Sequence, residues 1–362
     1  MDIQERLNKL RSLLAGKGTD ALLVTQNENR RYLSGFTGSA GFLVISGHEA
    51  ILATDFRYIQ QAEEQAPGFR IARIKGRLTE WFPGLLAELD ITSLGFEARD
   101  VSYALYQEVA AAAWEAGSGL SLVPTEGLAE SIRAMKDAEE VRSIEQAARI
   151  ADEALEQVRR TLRPGMSERE VALRLELHMR EKGSDTLPYE IIVASGPNSA
   201  LPHARPTDRS IREGEPVVMD LGARVNGYAS DMTRTFCAGK GDSTYNRIYD
   251  IVLGAQLTAV AALRAGMTGE QVDRLARTVI SQAGYGDNFG HGLGHGIGLA
   301  AHEQPRLGPG SLDVLGENMV FTIEPGVYLP GWGGVRIEDT MILEHGGIRS
   351  LTAATKDPEV PG

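Results

Sequence analysis

An internal duplication is indicated by the stretch Leu162-Arg163-Pro164-Gly165-Met166-Ser167, which is repeated 101 residues later as Leu263-Arg264-Ala265-Gly266-Met267-Thr268. Each copy ends in a helix-capping residue with an acid or amide three residues later, in the pairs Ser167 with Glu170 and Thr268 with Gln271. This is the pattern of a capping box, so a helix is predicted after each copy. Each copy also follows a helical pattern and precedes a strand hairpin that carries two carboxylates. We predict two related halves that face each other and place both acidic pairs in one central cleft.

The chain before the first copy contains one long helix and a separate domain. Between Asp137 and Leu162 apolar residues recur at alternating spacings of three and four, which is the period of one helical face. Upstream, the pattern predicts a helix over 3–16, a strand over 21–24 and a hairpin over 41–54. With 362 residues the chain is expected to form two domains. We predict an α/β domain over residues 1–125 and an α+β domain with the internal duplication over 126–362.

The first acidic pair is Asp220 and Asp231, on two strands joined by the type I′ turn signal Asn226-Gly227. With these turn residues at the centre, Asp220 faces Thr233 and is a diagonal neighbour of Asp231, with Cα atoms roughly 7–8 Å apart. Carboxylates at that separation can converge on cations about 3.5–4 Å apart. The alternative is a surface hairpin with two solvated acids. The apolar residues around Asp220 favour a buried strand, in which unpaired charge is costly.

The second acidic pair is Glu324 and Glu338. Glu324 ends an apolar strand, and Glu338 lies on the strand that returns after a glycine-rich bend. Arg336 precedes Glu338 by two residues, so both side chains share one strand face. An arginine in that place can orient a ligating carboxylate and keep it ionised. The alternative is a plain surface ion pair.

The most specific feature is Gly290-His291-Gly292-Leu293-Gly294-His295-Gly296-Ile297-Gly298, in which every even position is glycine. The spacing of its histidines matches a helical zinc motif, but five glycines at about 1 kcal/mol each exclude a helix. An extended chain places His291 and His295 on one face, and glycine permits close approach of backbone or substrate. His302 and His203 are expected near the same elements.

Together these residues predict a metal centre with the five ligands Asp220, Asp231, His295, Glu324 and Glu338. Four carboxylates and one imidazole are more negative charge than a fold collects without a cation. Hard oxygen ligands with one nitrogen suit a pair of divalent first-row ions, most readily Mn²⁺, with Co²⁺ or Zn²⁺ as alternatives. The sequence therefore predicts a two-metal hydrolase.

Charge and composition exclude other classes of function. The formal net charge of −12 argues against nucleic acid or an anionic membrane as partner, because both bind positive surfaces. The single cysteine, Cys237, excludes an internal disulfide. The chain has neither the start of a signal peptide nor an apolar run of about 20 residues. We expect a cytoplasmic protein.

These motifs resemble those of the pita-bread metallopeptidases that cleave beside proline, aminopeptidase P and prolidase. The resemblance covers residues 130–350, and Tyr32-Leu33-Ser34-Gly35-Phe36-Thr37-Gly38-Ser39 resembles the creatinase-like N-terminal domain of that family. It implies that Asp231 and Glu338 bridge two metals, that Asp220 chelates one, and that His295 and Glu324 complete the other. Its accessory catalytic residues match His203, His291, His302 and Arg336.

The resemblance implies an exopeptidase that hydrolyses the Xaa-Pro bond of peptides with proline at the second position. A metal-bridging hydroxide would attack, Glu324 would transfer protons, and His302 with His203 would bind the oxyanion. Apolar and aromatic residues around Tyr189 and Tyr328 are candidates to wall the proline pocket. Aminopeptidase P is the first choice and Xaa-Pro dipeptidase the alternative, while a non-catalytic binding protein on the same fold is a third. A homodimer is expected from the resemblance alone.

Overall fold

The computed structural model describes residues 2–117 and 119–360, and the chain divides into two compact units. The first unit ends at Arg133 and the second begins at Ala134. Within the described residues, no helix has the length and apolar character needed to cross a bilayer.

The first unit is an α/β domain built on one six-stranded sheet. Its elements are α1 (Ile3–Gly16), β1 (Ala21–Val24), α2 (Asn27–Ser34), β2 (Phe42–Ser46), β3 (Ala50–Thr54), α3 (Ile59–Gln65), β4 (Arg70–Arg73), α4 (Leu78–Glu88), β5 (Ser93–Glu97), α5 (Tyr103–Ala116), β6 (Ser121–Thr125) and α6 (Leu128–Arg133). The strand order is β4-β3-β2-β1-β5-β6. Phe82 of α4 and Val109 of α5 pack against Leu23 and Val44 of the sheet. The predicted first helix, first strand and hairpin are confirmed.

The second unit contains the duplicated sequence. Its elements are α7 (Ala138–Arg159), α8 (Glu168–Glu181), β7 (Ile192–Ser195), β8 (Pro216–Leu221), β9 (Arg224–Val225), β10 (Tyr228–Ala229), β11 (Met232–Cys237), α9 (Ser243–Ala262), α10 (Gly269–Gln282), β12 (Gly294–Gly296), β13 (Glu303–Leu307), β14 (Val320–Ile323), β15 (Gly326–Leu329), β16 (Gly333–Arg336), β17 (Asp339–Glu344) and β18 (Gly347–Ser350), with short 3₁₀ turns at Gly196–Ala200 and Gly286–Asn288. The long helix predicted between Asp137 and Leu162 is α7.

Both copies of the repeated stretch form the same backbone structure. Gly165 and Gly266 adopt left-handed conformations, with φ of 95° and 85°. The N–H of Gly165 donates to the carbonyl of Ile211 at 2.9 Å, and the N–H of Gly266 donates to that of Leu315 at 2.8 Å. A helix of 14 residues follows each copy. The predicted duplication is therefore present in the fold.

The two helix caps differ in one respect. Thr268 forms the predicted capping box, because its hydroxyl accepts from the N–H of Gln271 and the Gln271 side chain accepts from the N–H of Thr268. The Ser167 hydroxyl accepts from the N–H of Glu170, but the Glu170 carboxylate binds Arg174 at 2.7 Å. The reciprocal box predicted at Ser167 is wrong, since an ion pair one turn along the helix takes the carboxylate.

The strands of the first half form a sheet in the order β11-β8-β7, and those of the second half form the order β13-β12-β14-β17-β18. The predicted register of the first hairpin is confirmed, with Asp220 opposite Thr233. The two sheets meet where β11 lies beside the start of β17, a boundary that we call the seam. There the N–H of Glu338 donates to the carbonyl of Thr233 at 3.0 Å, and the Thr340 hydroxyl donates to that of Asp231 at 2.6 Å. The seam places the acids of both halves side by side.

Candidate metal centre

A cavity of about 550 Å³ in the second unit is lined by residues of both halves. All nine residues predicted for the site line it, namely His203, Asp220, Asp231, His291, His295, His302, Glu324, Arg336 and Glu338. Tyr189 also lines the cavity. Tyr328 does not line it, and its hydroxyl instead bonds His291 and Arg336, which do. The predicted convergence of both acidic pairs in one cleft is observed.

The glycines around His295 are required by neighbouring strands. A Cβ on Gly294 would lie 2.0 Å from the carbonyl oxygen of Thr322 in β14, and a Cβ on Gly296 would lie 2.0 Å from that of Gln304 in β13. No side chain fits at either place. The strand β12 is therefore held between two backbones, and the imidazole that it carries is fixed in direction.

Asp231, His295 and Glu338 form the tightest group of potential ligands. One ligand atom from each of the three lies within 4.8 Å of the other two. The Nε2 atom of His295 is 3.6 Å from Asp231 Oδ2 and 3.4 Å from Glu324 Oε1. These distances exceed those of good hydrogen bonds and suit atoms that share a cation at about 2.0–2.2 Å from each.

The protonation of His295 leaves its Nε2 atom free to bind a cation. Its Nδ1 lies 3.1 Å from the carbonyl oxygen of Gly296, which only accepts, so Nδ1 carries the proton. Burial, and then the nearby His302, lower the pKa of His295 to about 4. The neutral imidazole at pH 7 therefore presents a lone pair towards Asp231 and Glu324.

The four carboxylates repel one another when ionised, and a bound cation would reduce this repulsion. Burial raises the pKa of Asp231, Glu324 and Glu338 well above the usual range, and repulsion between neighbouring carboxylates raises it further. Asp220 Oδ1 is buried and has no hydrogen-bond partner among the described residues. A buried, unpaired carboxylate oxygen beside three crowded acids fits a site for divalent cations.

Arg336 connects the acids of the two halves. Its Nη2 donates to Asp220 Oδ2 at 2.6 Å, and its Nε donates to the Thr233 hydroxyl at 3.0 Å. That hydroxyl in turn donates to Glu338 Oε2 at 2.6 Å. Arg336 therefore contacts Asp220 directly, whereas Glu338, the partner expected from the sequence, is reached only through Thr233.

His291 is occupied on both ring nitrogens. The Tyr328 hydroxyl accepts from Arg336 Nη1 at 2.9 Å, so its own proton points to His291 Nε2, also 2.9 Å away. The Nδ1 of His291 donates to the carbonyl of Gly292 at 2.8 Å. His291 therefore holds the Tyr328 hydroxyl in place, and Tyr328 in turn holds Arg336.

His203 and His302 lie at the exposed part of the cavity lining. The rings of His302 and His295 are 4.2 Å apart between centroids. His203 follows Pro202, whose carbonyl oxygen accepts from Arg336 Nη1 at 3.2 Å. Both imidazoles are therefore anchored next to the acids and remain accessible to a molecule that enters the cavity.

Sequence reasoning missed several residues that hold the acids. Thr322 donates to Glu324 Oε1 at 3.1 Å, and Thr233 and Thr340 bind Glu338 and Asp231 as described above. Each threonine lies two residues from an acid along a strand, so the period of two was the signal. Tyr189 donates to Asp231 Oδ1. It comes from an irregular loop, and no spacing in the sequence connects it with Asp231.

Comparison with known families agrees with this geometry. Residues 142–345 match the description "Metallopeptidase family M24", and residues 6–135 match "Creatinase/Prolidase N-terminal domain". The chain belongs to metallopeptidase family M24. The M24 match contains all nine predicted site residues, from His203 to Glu338.

Two solved peptidase structures resemble this chain over nearly its full length. An Xaa-Pro dipeptidase from Bacillus anthracis is 42% identical with a TM-score of 0.95, over 99% of this chain and 100% of that one. An X-Pro aminopeptidase from Thermotoga maritima is 34% identical with a TM-score of 0.89, over 98% and 99%. In sequence, an Xaa-Pro dipeptidase from Pyrococcus horikoshii is 36% identical over 359 residues, 99% of each chain.

These similarities confirm the predicted class of protein. This M24 chain is a metallopeptidase, and the predicted pita-bread fold with a creatinase-like N-terminal domain is confirmed. The similar chains include both an enzyme named for dipeptides and one named as an aminopeptidase. The choice between these substrate lengths is therefore a separate question.

Proposed function

We propose that this metallopeptidase hydrolyses the Xaa-Pro bond at the N-terminus of peptides, in the manner of aminopeptidase P, with two Mn²⁺ ions bound. The observation that carries the proposal is the convergence of four carboxylates and one neutral imidazole in a single cavity. The similarity to an X-Pro aminopeptidase and to Xaa-Pro dipeptidases supports the specificity for proline.

Five residues would hold the metal pair. Asp231 and Glu338 lie side by side at the seam, and they would hold the ions together with Asp220, His295 and Glu324. When bound, such ions polarise a peptide carbonyl and make water more acidic at neutral pH. The carboxylates supply the negative charge that balances the pair, and the oxygen-rich set favours Mn²⁺ over softer ions.

Glu324 is the proposed proton carrier. Its Oε1 accepts from Thr322, while its Oε2 lies 4.0 Å from His291 Nδ1 and makes no hydrogen bond among the described residues. A carboxylate whose pKa is raised by burial can take a proton from water at this oxygen and give it to the imino nitrogen of proline. General acid–base catalysis of this kind contributes about 10²–10⁴-fold.

His302 and His203 are proposed to bind the scissile peptide. Both imidazoles line the cavity next to the acids, and both can donate a hydrogen bond to the carbonyl oxygen as negative charge develops on it. An imino nitrogen offers no N–H for the site to recognise, so shape and contacts to the carbonyl must select proline. Arg336 and Tyr328 hold the surroundings of this carbonyl in place.

Metal analysis combined with a peptide panel tests the proposal. The purified chain should bind two Mn²⁺ ions per molecule and release the first residue from Xaa-Pro-Yaa, while Xaa-Ala-Yaa serves as the control for proline specificity. A chain that binds no Mn²⁺, Co²⁺ or Zn²⁺ and cleaves none of these peptides would instead support the non-catalytic binding protein.

A second candidate function, Xaa-Pro dipeptidase, is favoured by one residue of the cavity. Arg306 lines it, and in the described part of the chain no carboxylate lies within ion-pairing distance of its side chain. An unpaired guanidinium suits a free carboxylate, which a dipeptide presents directly after its proline. The similarity to two chains named Xaa-Pro dipeptidase points the same way.

Amidated dipeptides separate the two candidates. Under the first candidate, Xaa-Pro-NH₂ and Xaa-Pro-Yaa are cleaved at least as well as Xaa-Pro. Under the second, Xaa-Pro is preferred by more than about tenfold in kcat/KM, and Arg306→Gln removes that preference because a charged hydrogen-bonded pair is lost. Arg306→Lys, which keeps the charge, should retain part of it.

The homodimer and the cytoplasmic location stay predictions of the sequence. Light scattering of the purified chain tests the first, since a dimer has twice the mass of 39.1 kDa. Fractionation of cells that express the full chain tests the second.

A further inference from the structure

A buried ion pair crosses the seam behind the metal centre. Arg234 of β11 and Asp339 of β17 are 2.6 Å apart, and their side chains are 1% and 2% exposed. Neither residue lines the cavity. The first half supplies the arginine and the second half the aspartate, so this pair joins the two halves on the far side of the acids.

Arg234 holds the backbone of the residues that carry the acids. Its Nη1 donates to the carbonyl oxygens of Glu338 and Thr233. Its Nη2 donates to Asp339 at 2.6 Å and to the carbonyl of Ala354 at 2.9 Å. The planar guanidinium therefore fixes the distance between strand β11 and Glu338, which are the two sides of the seam.

Asp339 is held in turn from several directions. It accepts from Arg234, from Gln256 Nε2 at 2.8 Å, from the Thr352 hydroxyl at 2.8 Å and from Lys356 Nζ at 2.6 Å. Two cations, Arg234 and Lys356, therefore face this carboxylate. Thr352 and Lys356 also connect the segment of residues 352–356 to the pair.

A buried ion pair of this kind is a poor source of stability. Removing two charges from water costs several kcal/mol, and well-packed apolar residues in the same place are often equal or better. The pair has a second effect that apolar residues cannot supply, because a forked donor sets the positions of particular carbonyl groups. Those carbonyls belong to Glu338 and to Thr233, whose hydroxyl binds the Glu338 carboxylate.

We propose that Arg234 and Asp339 are positioning residues that set the spacing of Asp231 and Glu338 and thereby the affinity of the site for divalent metal. The inference rests on the proposed function, in which those two acids would be among the residues that hold the metals. Partners behind metal ligands affect affinity strongly, and their loss costs about 10–100-fold.

Arg234→Lys is the principal test, with Arg159→Lys as the matched control. Lysine keeps the positive charge that Asp339 needs but cannot span the same carbonyls. Arg159 is also buried and also ties down the C-terminal segment, through Asp357 at 2.9 Å and the carbonyl of Glu359 at 2.7 Å, yet it does not contact Glu338. Calorimetric titration of the metal-free proteins with Mn²⁺ should show affinity at least about tenfold weaker in Arg234→Lys and changed less than about twofold in Arg159→Lys.

Kinetics provide a second measurement on the same variants. At saturating Mn²⁺, KM for an Xaa-Pro peptide should be unchanged in Arg234→Lys, because no residue that binds the peptide is altered. If both arginine variants lose thermal stability equally and bind Mn²⁺ as tightly as the wild type, Arg234 is structural only and the inference is overturned.

If Arg234→Lys does not fold, Lys356→Met tests whether the Arg234–Asp339 pair affects the affinity for metal. The Lys356 side chain is 29% exposed, so methionine can be accommodated there, while Asp339 loses one of its cationic partners. Weaker Mn²⁺ binding, restored by Lys356→Arg, supports the inference, and unchanged binding overturns it. If the wild-type chain binds no Mn²⁺, both the proposed function and this inference are overturned. If the wild type binds Mn²⁺ and the variants bind it equally well, only this inference is overturned.

Discussion

The two halves of the catalytic unit share a frame and use it differently. In each, the repeated stretch donates its glycine N–H to a returning loop, and the first helical N–H bonds to the same loop, from Glu168 to Arg209 and from Gly269 to Asp313. At that first helical position the halves diverge. Glu168 is fully buried, whereas a Cβ on Gly269 would lie 2.0 Å from the carbonyl oxygen of Arg306.

This difference determines what each half brings to the cavity. The Glu168 carboxylate accepts from Ser195, Asn198 and Thr207, and so anchors the loop that carries His203. Glycine at 269 instead lets strand β13 pass directly against the helix. A duplicated backbone can thus be preserved while its side chains specialise, because the frame depends on main-chain hydrogen bonds.

The halves also hold each other's acids. Arg336 of the second half binds Asp220 of the first, and Arg234 of the first half binds the backbone of Glu338 in the second. The proposed imidazole ligand, His295, comes from the second half only. A mutation of this imidazole should therefore affect metal binding more than a mutation of any other histidine in the site.

The largest effect is expected from His295→Ala. Its Nε2 faces Asp231 and Glu324, so alanine removes the sole nitrogen of the proposed ligand set. We expect bound Mn²⁺ to fall and kcat/KM for an Xaa-Pro peptide to drop by at least roughly a thousandfold, since metal-assisted hydrolysis is lost. Metal content by mass spectrometry and peptide turnover measure the two effects. His178→Ala, on helix α8 of the first half, is the control, and equal losses in both variants would contradict the assignment.

His302→Ala should lower turnover without removing metal. His302 contacts His295 but is placed here as a donor to the scissile carbonyl. Loss of such a donor typically costs about 10²–10³ in kcat. The metal content should match that of the wild type in the same assay. If this variant contained less metal than the wild type, His302 would belong among the ligands. The second half would then supply two imidazole ligands instead of one.

The parts of the site that depend on local spacing could be predicted from the sequence. The turn at Asn226 and Gly227 fixed the register that places Asp220 opposite Thr233, because a two-residue hairpin permits one pairing only. The glycines around His295 indicated close backbone approach, and two strands do lie against them. These inferences succeeded because each depends on residues within one hairpin or one strand.

The parts that failed depend on contacts between distant segments. All six residues of β11 are buried, so alternation could not show which face of the strand Arg234 occupies. Glu170 satisfies the capping pattern, yet its partner is Arg174, a choice that spacing alone leaves open. Tyr328 was expected near a pocket wall, whereas in the structure its hydroxyl forms hydrogen bonds with His291 and Arg336.

Metal should stabilise the folded chain through both halves. A ligand that binds only the folded state stabilises it by about 2.7 kcal/mol at a hundred times its Kd. Adding Mn²⁺ to the metal-free protein should therefore raise its melting temperature in a concentration-dependent way. Asp220→Asn and Glu324→Gln, one from each half, should both reduce this rise, measured by calorimetry. A rise that persists fully in one variant would mean that its half contributes no ligand.

The smallest effect distinguishes the two helix caps. At Thr268 the Gln271 side chain returns a hydrogen bond to the cap, whereas Glu170 leaves Ser167 without one and pairs with Arg174. Thr268→Ala and Ser167→Ala should each cost about 1 kcal/mol, as losses of a cap usually do. Gln271→Ala should also destabilise the fold, because the N–H of Thr268 loses its partner. Glu170→Ala should cost only about 0.3–0.5 kcal/mol, the typical value of a surface pair one turn apart.

Urea unfolding at fixed Mn²⁺ measures the loss of stability in all four variants. An equal cost for Gln271→Ala and Glu170→Ala would show that the two caps close in the same way in solution.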